Sequence, residues 1–409
     1  MENPKIRFKG FTKDWEQRKL GELGSLKNGM NFSKEALGHG FPFINLQNIF
    51  GNNVIDVNKL ELADATEKQL LEYSLLKGDV LFVRSSVKLE GVGEAALVPE
   101  TFENTTYSGF IIRFRDEYGL NNDFKKYIFG TQKVRNQIMA QATNSANKNI
   151  SQGVLENLTF EVPSFDEQAK IGEHFSNLDH LITLHQRKCE QTKKLKKYML
   201  QKMFPQNGAK VPEIRFDGFT YDWEQRKLGD VCSRVQGNDG RMKLPTLTIS
   251  AGNGWMRQED RFSGNIAGNE QKNYTLLHTG ELSYNHGNSK LAKYGAVFSL
   301  RNYEEALVPR VYHSFRVEEG CADYIEYYFA TKLPDRELRK LISSGARMDG
   351  LLNIGYDEFM GIKMMFPSIK EQNEIATYFR SLDHLITLHQ RKCDELKKMK
   401  KYMLQNMFI

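Results

Sequence analysis

The feature that most constrains this 409-residue chain is an internal duplication. Residues 4–21 read PKIRFKGFTKDWEQRKLG and residues 212–229 read PEIRFDGFTYDWEQRKLG, so fifteen of eighteen positions are identical. Residues 174–204 and 378–408 agree at 23 of 31 positions. The copies are 208 residues apart in the first pair and 204 in the second, and both offsets are close to half the chain length. We call the repeated stretches the frames and the regions between them the interiors. The chain then has the order interior, helix, interior, helix. The chain is therefore predicted to build one kind of domain twice.

Between these repeated frames the two halves diverge. Faint correspondences remain, such as the ALVP sequence at 96–99 and again at 306–309, or Ile150 and Ile354. One interpretation is that the interiors share a fold and act on two different targets. The other is a recent duplication or recombination that left the frames identical by descent.

Each frame contains the start signal of a long helix. Ser164 and Glu167, like Ser368 and Glu371, have the S-x-x-E spacing of a capping box. Apolar positions then alternate at steps of four and three, which is the 3.5-residue period of a coiled coil. The seam positions are Ile171, Phe175, Leu178, Ile182, His185 and Cys189 in the first helix and Ile375, Phe379, Leu382, Ile386, His389 and Cys393 in the second. If a pseudo-two-fold axis relates the halves, the two seams pack as an antiparallel pair.

Polar residues on these helices allow alternative interpretations. His185 and His389 either set the register of the helix pair or belong to a metal or catalytic site. The lysine-rich runs at 193–197 and 397–401 form either a solvated helix face or a surface for phosphate or a partner protein.

The interiors, residues 22–162 and 230–366, have a mixed pattern. Short apolar runs predict strands at 80–83, 110–114 and 159–162, and each interior is predicted to hold one longer helix, at 123–141 and at 324–342. The predicted fold class is mixed α/β (α+β), with two similar domains joined by two long helices. The predicted boundaries are 1–163 for the first domain, 164–204 for the first helix, 205–212 for a linker, 213–367 for the second domain and 368–409 for the second helix.

Polar loops of the interiors are the candidate functional segments. Arg, Lys, Asn and Gln suit base edges in the major groove, and Ser, Thr and Lys suit phosphates. Ordinary turn-forming loops have a similar composition, so the residues alone leave both interpretations open. The candidate DNA contacts are Arg84, Ser85, Ser86, Lys88, Asn144, Asn147 and Lys148 in the first interior and Asn285, His286, Asn288, Lys290, Lys293 and Arg347 in the second.

Signatures of catalysis are missing from the sequence. It holds no Walker A loop, no HExxH zinc motif and no Asn/Asp-Pro-Pro-aromatic motif of amino-methyltransferases. The four cysteines lack the spacing of common zinc sites, and no apolar run reaches the length of a membrane span. The net charge of +6 is compatible with a polyanionic partner. We expect a soluble, cytoplasmic binding or scaffolding subunit without a metal site or catalytic residues.

The duplicated order of motifs resembles the DNA-specificity subunit of type I restriction–modification systems. The motifs are RFxGF…DWEQRKLG, a GDVLF-type strand and the helix start PSxxEQxxI, and the resemblance covers essentially the whole chain. It implies two target recognition domains that each read one half of a bipartite site in double-stranded DNA. It also implies that the helices set the spacing and dock two modification (methyltransferase) subunits, which restriction subunits then join.

The resemblance places the methyl donor, S-adenosylmethionine, on the modification subunit and no cofactor on this chain. Two other functions remain open from the sequence alone. One is a coiled-coil adaptor that binds only proteins, and the other is a self-sufficient DNA-modifying enzyme.

Overall fold

A computed structural model describes residues 4–58, 60–143, 146–206, 208–262, 268–287, 289–342 and 352–408. Its contacts divide the chain into two compact units. Unit 1 contains residues 1–186 and 390–409, and unit 2 contains residues 187–389. Each unit therefore combines one interior with the first half of one long helix and the second half of the other.

The first half of the chain forms the interior of unit 1 and the first long helix. Its strands and helices are β1 (Glu16–Lys19), α1 (Leu20–Leu23), β2 (Gly24–Asn28), β3 (Leu37–Ile44), β4 (Glu61–Ala63), α2 (Glu67–Glu72), β5 (Val80–Val83), β6 (Ser85–Ser86), β7 (Ala95–Leu97), β8 (Thr106–Tyr107), β9 (Ile111–Asp116), α3 (Asn122–Ile128), α4 (Gln132–Gln141), β10 (Lys148–Asn149), α5 (Gln152–Glu156), β11 (Thr159–Val162) and α6 (Phe165–Lys202).

The second half forms the interior of unit 2 and the second long helix. Its strands and helices are β12 (Glu224–Lys227), β13 (Cys232–Val235), β14 (Leu247–Ser250), β15 (Gly254–Arg257), α7 (Gln258–Phe262), β16 (Thr275–His278), β17 (Leu282–Asn285), β18 (Ala296–Ser299), β19 (Glu305–Val308), β20 (His313–Val317), α8 (Ala322–Ala330), α9 (Asp335–Leu341), α10 (Tyr356–Met360), β21 (Lys363–Phe366) and α11 (Ile369–Asn406). The mixed α/β class is confirmed.

An antiparallel four-stranded sheet lies at the centre of each interior. Its order is β2-β9-β5-β7 in unit 1 and β13-β20-β17-β18 in unit 2. All four residues of β5 are buried because both faces of the sheet are covered. Val80 and Phe82 face one apolar cluster, whereas Leu81 and Val83 face another. The strands predicted at 80–83 and 159–162 are confirmed.

The single long helix predicted in each interior is wrong, because each is broken into two. In unit 1, α3 ends at Ile128 and α4 starts after Thr131, whose ψ of 151° is extended. In unit 2, α8 ends at Ala330 and α9 starts after Pro334. Proline lacks the N–H that a continuing helix needs, and an extended residue cannot continue one either.

The two long helices run antiparallel, as predicted. In unit 1, Phe175 of α6 packs against Phe408, which follows α11, while Asp179 pairs with Lys400 of α11. Residue numbers rise on one helix as they fall on the other. The same holds in unit 2, where Lys196 and Phe204 contact Asp383 and Phe379.

The first seam positions pack into the domains as well as against the partner helix. The Phe175 ring lies 5.1 Å from the Tyr127 ring of α3, and the Phe379 ring lies 5.1 Å from the Tyr327 ring of α8. Farther along, Cys189 Sγ lies 3.8 Å from the Ile386 carbonyl oxygen. Nine seam residues are buried, and His185, Ile386 and His389 are partly exposed.

The two repeated frames make the same ion pair in their own units. Arg7 donates to Glu167 through Nε and Nη2 at 2.6 and 2.8 Å, and Arg215 donates to Glu371 at 2.7 and 2.8 Å. The capping boxes are thus modified: Ser368 Oγ accepts from the Glu371 backbone N–H at 3.3 Å, while the carboxylate binds an arginine.

Each frame also binds the end of a long helix. The Ile6 N–H donates to the Asn406 carbonyl and the Ile214 N–H to the Lys202 carbonyl, both at 2.9 Å. Strand β1 pairs with β11 in unit 1, as β12 pairs with β21 in unit 2. The N-terminal segment of each frame therefore contacts the end of one long helix through a backbone hydrogen bond and the last strand of its domain through strand pairing.

We expect Arg7→Ala to destabilise unit 1 by about 2 kcal/mol, because it leaves a buried carboxylate without its cation. The Glu167 side chain is only 1% exposed. Urea unfolding of the full chain measures the effect. The matched control is Arg18→Ala, which removes a solvent-exposed pair with Glu16 and should shift the transition far less. Equal shifts for both variants would contradict the assignment.

Within the described residues, no helix combines the length and the apolar character needed to cross a membrane.

Candidate nucleic-acid interface

In unit 1, two loops that are far apart in the sequence form one edge. Strand β6 pairs antiparallel with β10, so that Lys148 lies opposite Ser86 and Asn149 lies opposite Ser85. The Ile150 N–H donates to the Arg84 carbonyl at 2.9 Å. The candidate segments 84–88 and 146–149 are therefore brought together.

A third segment, which the sequence analysis missed, joins this edge. The Arg84 N–H donates to the Phe110 carbonyl at 2.8 Å, and Arg84 Nη1 donates to the Gly109 carbonyl at 3.3 Å. Residues 108–110 precede β9 and have no basic or amide side chain, so their composition carried no signal of nucleic-acid contact.

These segments line a cavity of about 510 Å³. Residues from all three contribute to its wall, namely Ser85, Ser86, Val87, Lys88, Phe110 and Asn147. Lys88 and Asn147 are exposed, while Arg84 and Lys148 are half-buried. Asn144 lies outside the described residues. The edge therefore offers hydroxyl, amide, cationic and apolar groups around one cavity, whose wall also includes the carboxylates of Glu90 and Glu94.

In unit 2 the predicted residues are more scattered. Asn285 ends β17 and uses its side chain internally: Nδ2 donates to the Ile249 carbonyl at 3.3 Å, and Oδ1 accepts from the Gly287 N–H at 3.0 Å. Lys290 and Lys293 are exposed. The Lys293 ammonium lies 5.7 Å from the centre of the Tyr294 ring. Asn288 and Arg347 lie outside the described residues.

His286 is buried, which removes it from the candidate surface. It is 7% exposed, and its ring centre lies 4.9 Å from that of His313 and 6.0 Å from that of Tyr284. A ring in this aromatic cluster cannot reach a base edge without opening the domain. The polar character of the sequence around it suggested a surface loop, but the sheet folds this position inward.

The lysine runs contain one structural lysine in each unit. The Lys400 ammonium lies 2.5 Å from Asp179 Oδ1 and 5.2 Å from the centre of the Tyr127 ring, whose hydroxyl donates to Asp179 Oδ2 at 2.9 Å. Burial raises the pKa of Tyr127, so the phenol stays a donor. Unit 2 repeats this arrangement with Lys196, Asp383 and Tyr327. A fully solvated face is therefore wrong for Lys196 and Lys400.

The long helices expose apolar side chains in unit 1 and again in unit 2. Leu181, Met399 and Tyr402 are 40%, 48% and 58% exposed in unit 1. Unit 2 exposes the pairs Leu195 with Tyr198 and Leu385 with Leu388. Residues three apart share a helix face, so each unit presents an apolar patch on its helices. We call these the helix patches.

Among the described residues, no group of three or more His, Cys, Asp or Glu side chains is arranged to hold a metal ion.

The family described as type I restriction modification DNA specificity domain matches the chain twice, over residues 12–194 and 221–398. These two stretches cover most of the chain.

Individual relatives are more distant. The chain is 28% identical over 151 residues to the type I restriction enzyme EcoKI specificity subunit of Escherichia coli K12, covering 36% of this chain and 32% of that protein. It is 24% identical over 245 residues to the type I restriction enzyme MjaIX specificity subunit of Methanocaldococcus jannaschii, covering 56% of this chain and 54% of that protein. These alignments thus span about a third and about half of the relatives' length.

The fold is similar to solved structures over almost its full length. The type I restriction–modification S subunit of M. genitalium aligns with a TM-score of 0.59 at 14% identity, covering 100% of this chain and 99% of that chain. A structure described as showing complex assembly and conformational transition of the type I R-M system aligns with a TM-score of 0.51 at 16% identity, covering 97% of this chain and 98% of that chain.

Proposed function

Because this chain belongs to the type I restriction–modification DNA specificity family, we propose that it reads a two-part target in double-stranded DNA and performs no chemistry itself. The observation that carries the proposal is a duplicated frame around two divergent interiors. One reader is assigned to residues 1–163 and the other to residues 213–367. Each reads one half-site, because a different surface on the same fold recognises a different sequence.

The unit 1 edge supplies the kinds of group that such reading needs. Asn147 and Arg84 have side chains suited to base edges, and Ser85, Ser86 and Lys88 suit phosphates or bases. Their convergence from separate loops supports a reading surface more strongly than any one residue does. In unit 2, Lys290 and Lys293 remain the exposed candidates among the described residues.

The proposed partners are two modification subunits, with restriction subunits joining through them. We assign one modification subunit to the helix patch of each unit, because the patches occupy duplicated positions and expose large apolar side chains. The methyl donor, S-adenosylmethionine, is assigned to the modification subunit and no cofactor to this chain, whose sequence has no donor-binding or catalytic motif.

Reconstitution tests the division of labour. The purified chain alone should neither methylate nor cleave DNA, and methylation should appear when modification subunits are added. Methyl transfer by the single chain would overturn the proposal. A complex that assembles but binds all duplexes equally at varied salt would favour the protein-only adaptor.

The variant Met399→Glu with Tyr402→Glu should reduce the number of bound modification subunits from two to one. It places two carboxylates in one apolar patch and leaves the unit 2 patch unchanged. Native mass spectrometry counts the subunits, and Leu71→Glu, at an 80% exposed position on α2, is the control. Retention of two subunits would show that this patch is not the docking surface.

Arg84→Ala should weaken discrimination at one base pair of one half-site by about 1–3 kcal/mol, the value of a bidentate Arg–guanine contact. The Gly109 carbonyl takes one of five guanidinium donors, and that contact holds the group at the edge. Binding to duplexes with single substitutions measures the effect, with Arg18→Ala as control. An unchanged preference at every position would exclude Arg84 as a base reader.

A further inference from the structure

The unit 1 edge exposes two apolar side chains beside its polar groups. Val87 is 78% exposed and Phe110 is 58% exposed, and both line the 510 Å³ cavity. Isolated exposed apolar residues need no explanation, but these two share one concave surface with Ser85, Ser86 and Asn147. Because these side chains are exposed, they add little to the domain core. Contact with a ligand explains their position better than a role in folding does.

Unit 2 has an exposed apolar residue at the position that corresponds to Phe110. Val80 of β5 pairs with Phe114 of β9, and Leu282 of β17 pairs with Phe315 of β20. Four residues before each of these phenylalanines lie Phe110 and Val311, and Val311 is 46% exposed.

The loops that follow β5 and β17 also expose an apolar side chain each. Val87 follows β5, and Leu291, which is 71% exposed, follows β17. Val87 lies four residues after the end of β5, and Leu291 lies six residues after the end of β17. Both interiors therefore expose an apolar side chain in this loop, as expected if each loop contacts its own target.

We propose that Val87 and Phe110 contact the 5-methyl group of a thymine in the major groove, so that the half-site read by unit 1 contains a T·A pair there. Thymine alone among the four bases presents a methyl group on its major-groove edge, and apolar side chains recognise it. This inference rests on the proposed function and adds the base that this surface reads.

The surroundings favour DNA as the occupant of this cavity. The Ser85, Ser86 and Asn147 side chains line the cavity and can bond neighbouring base edges. The lining also holds Lys88 and the carboxylates of Glu90 and Glu94, so the case for DNA rests on the hydroxyl and amide groups and not on net charge. An apolar peptide would complement Val87 and Phe110 but not the hydroxyl and amide groups that line the same cavity.

Paired backbone holds the two apolar side chains in place. The Phe110 carbonyl accepts from Arg84, and Val87 follows the β6–β10 ladder. Gly91 also lines the cavity, and a Cβ there would lie 2.5 Å from Ser86 Oγ and 3.0 Å from Phe50 Cε1. The surface is therefore formed before DNA binds, which lowers the ordering cost of a methyl contact.

The test uses the chain assembled with its modification subunits. Methylation mapping gives the target, and exchange of the unit 1 interior shows which half-site belongs to it. Each thymine of that half-site is then replaced singly by deoxyuridine, which removes only the methyl group. Equilibrium binding is measured for the unchanged chain, Val87→Ala, Phe110→Ala and the control Leu71→Ala.

At one thymine, loss of the methyl should weaken binding of the unchanged chain about four-fold, the factor that corresponds to burying one methyl-sized group. The loss should fall below about two-fold in Val87→Ala or Phe110→Ala and persist in Leu71→Ala. The measurement on the unchanged chain needs no variant, so a misfolded variant cannot decide the result.

A unit 1 half-site without a T·A pair, or without any thymine sensitive to methyl removal, overturns the inference. So does a sensitivity that both variants retain. Either result leaves the proposed function intact, because target-specific methylation would still be present. Absence of sequence-specific methylation in the assembled complex would instead reject the proposed function.

Discussion

Exchanging residues 24–158 for the corresponding interior of another specificity chain should change one half of the DNA target and leave the other half unchanged. The exchange keeps the frame of unit 1 whole, because β1 and β11 still pair and Arg7 still binds Glu167. A segment ending at residue 160 would cut β11 in two. The old half-site should lose about 10³-fold or more in affinity, the usual gap between specific and non-specific binding.

Genome-wide methylation mapping measures which bases of the target change after this exchange. The reciprocal exchange of residues 232–362 in unit 2 keeps the β12–β21 pair and is the matched control. It should change the other half of the target. If either exchange alters both halves, the two interiors do not read independently, and the two-reader proposal fails.

Inserting four residues into both long helices, after Gln186 and after His389, should lengthen the unread gap of the target by one or two base pairs. Both helices run unbroken through these positions, where the two units divide. Pairs such as Asp179 with Lys400 and Lys196 with Asp383 lie within one unit and keep their register. Four residues add about 6 Å and about 40° of rotation to a helix.

A matched two-residue insertion is the control, since it rotates the following segment by about 200° and should disable methylation. Base pairs are about 3.4 Å apart, so a 6 Å extension corresponds to roughly two of them. Methylation mapping with each insertion decides the outcome. Full activity at the original gap in the four-residue variant would mean that the modification subunits set the spacing.

The long helices and the mixed class could be predicted because they depend on local pattern. The S-x-x-E starts and the alternating three- and four-residue steps identify α6 and α11 without reference to any partner. The breaks at Thr131 and Pro334 were missed because the apolar period continues across them. Proline and an extended backbone override periodicity at such points.

The candidate surface was predicted in part. Residue type alone indicates Ser85, Ser86 and Lys148 as candidates, and the β6–β10 pairing brings them together. Phe110 was missed because apolar residues in a loop give no compositional signal of DNA contact. The polar neighbours of His286 predict a surface loop, whereas its ring is buried near the rings of Tyr284 and His313.

The duplication, the two long helices and the lack of a catalytic motif follow from the order and identity of residues along the chain, since repeats and periods are linear properties. The antiparallel direction of the helices depended on a two-fold relation between the halves, and the contacts within each unit establish it. The sequence pattern does not show which groups pack against a periodic apolar face. In the fold, the Phe175 ring packs against the Tyr127 ring, Asp179 pairs with Lys400, and Val87 and Asn147 line the same cavity. Periodicity shows which side chains are buried, but only long-range packing decides what buries them, because the partners are tens to hundreds of residues away.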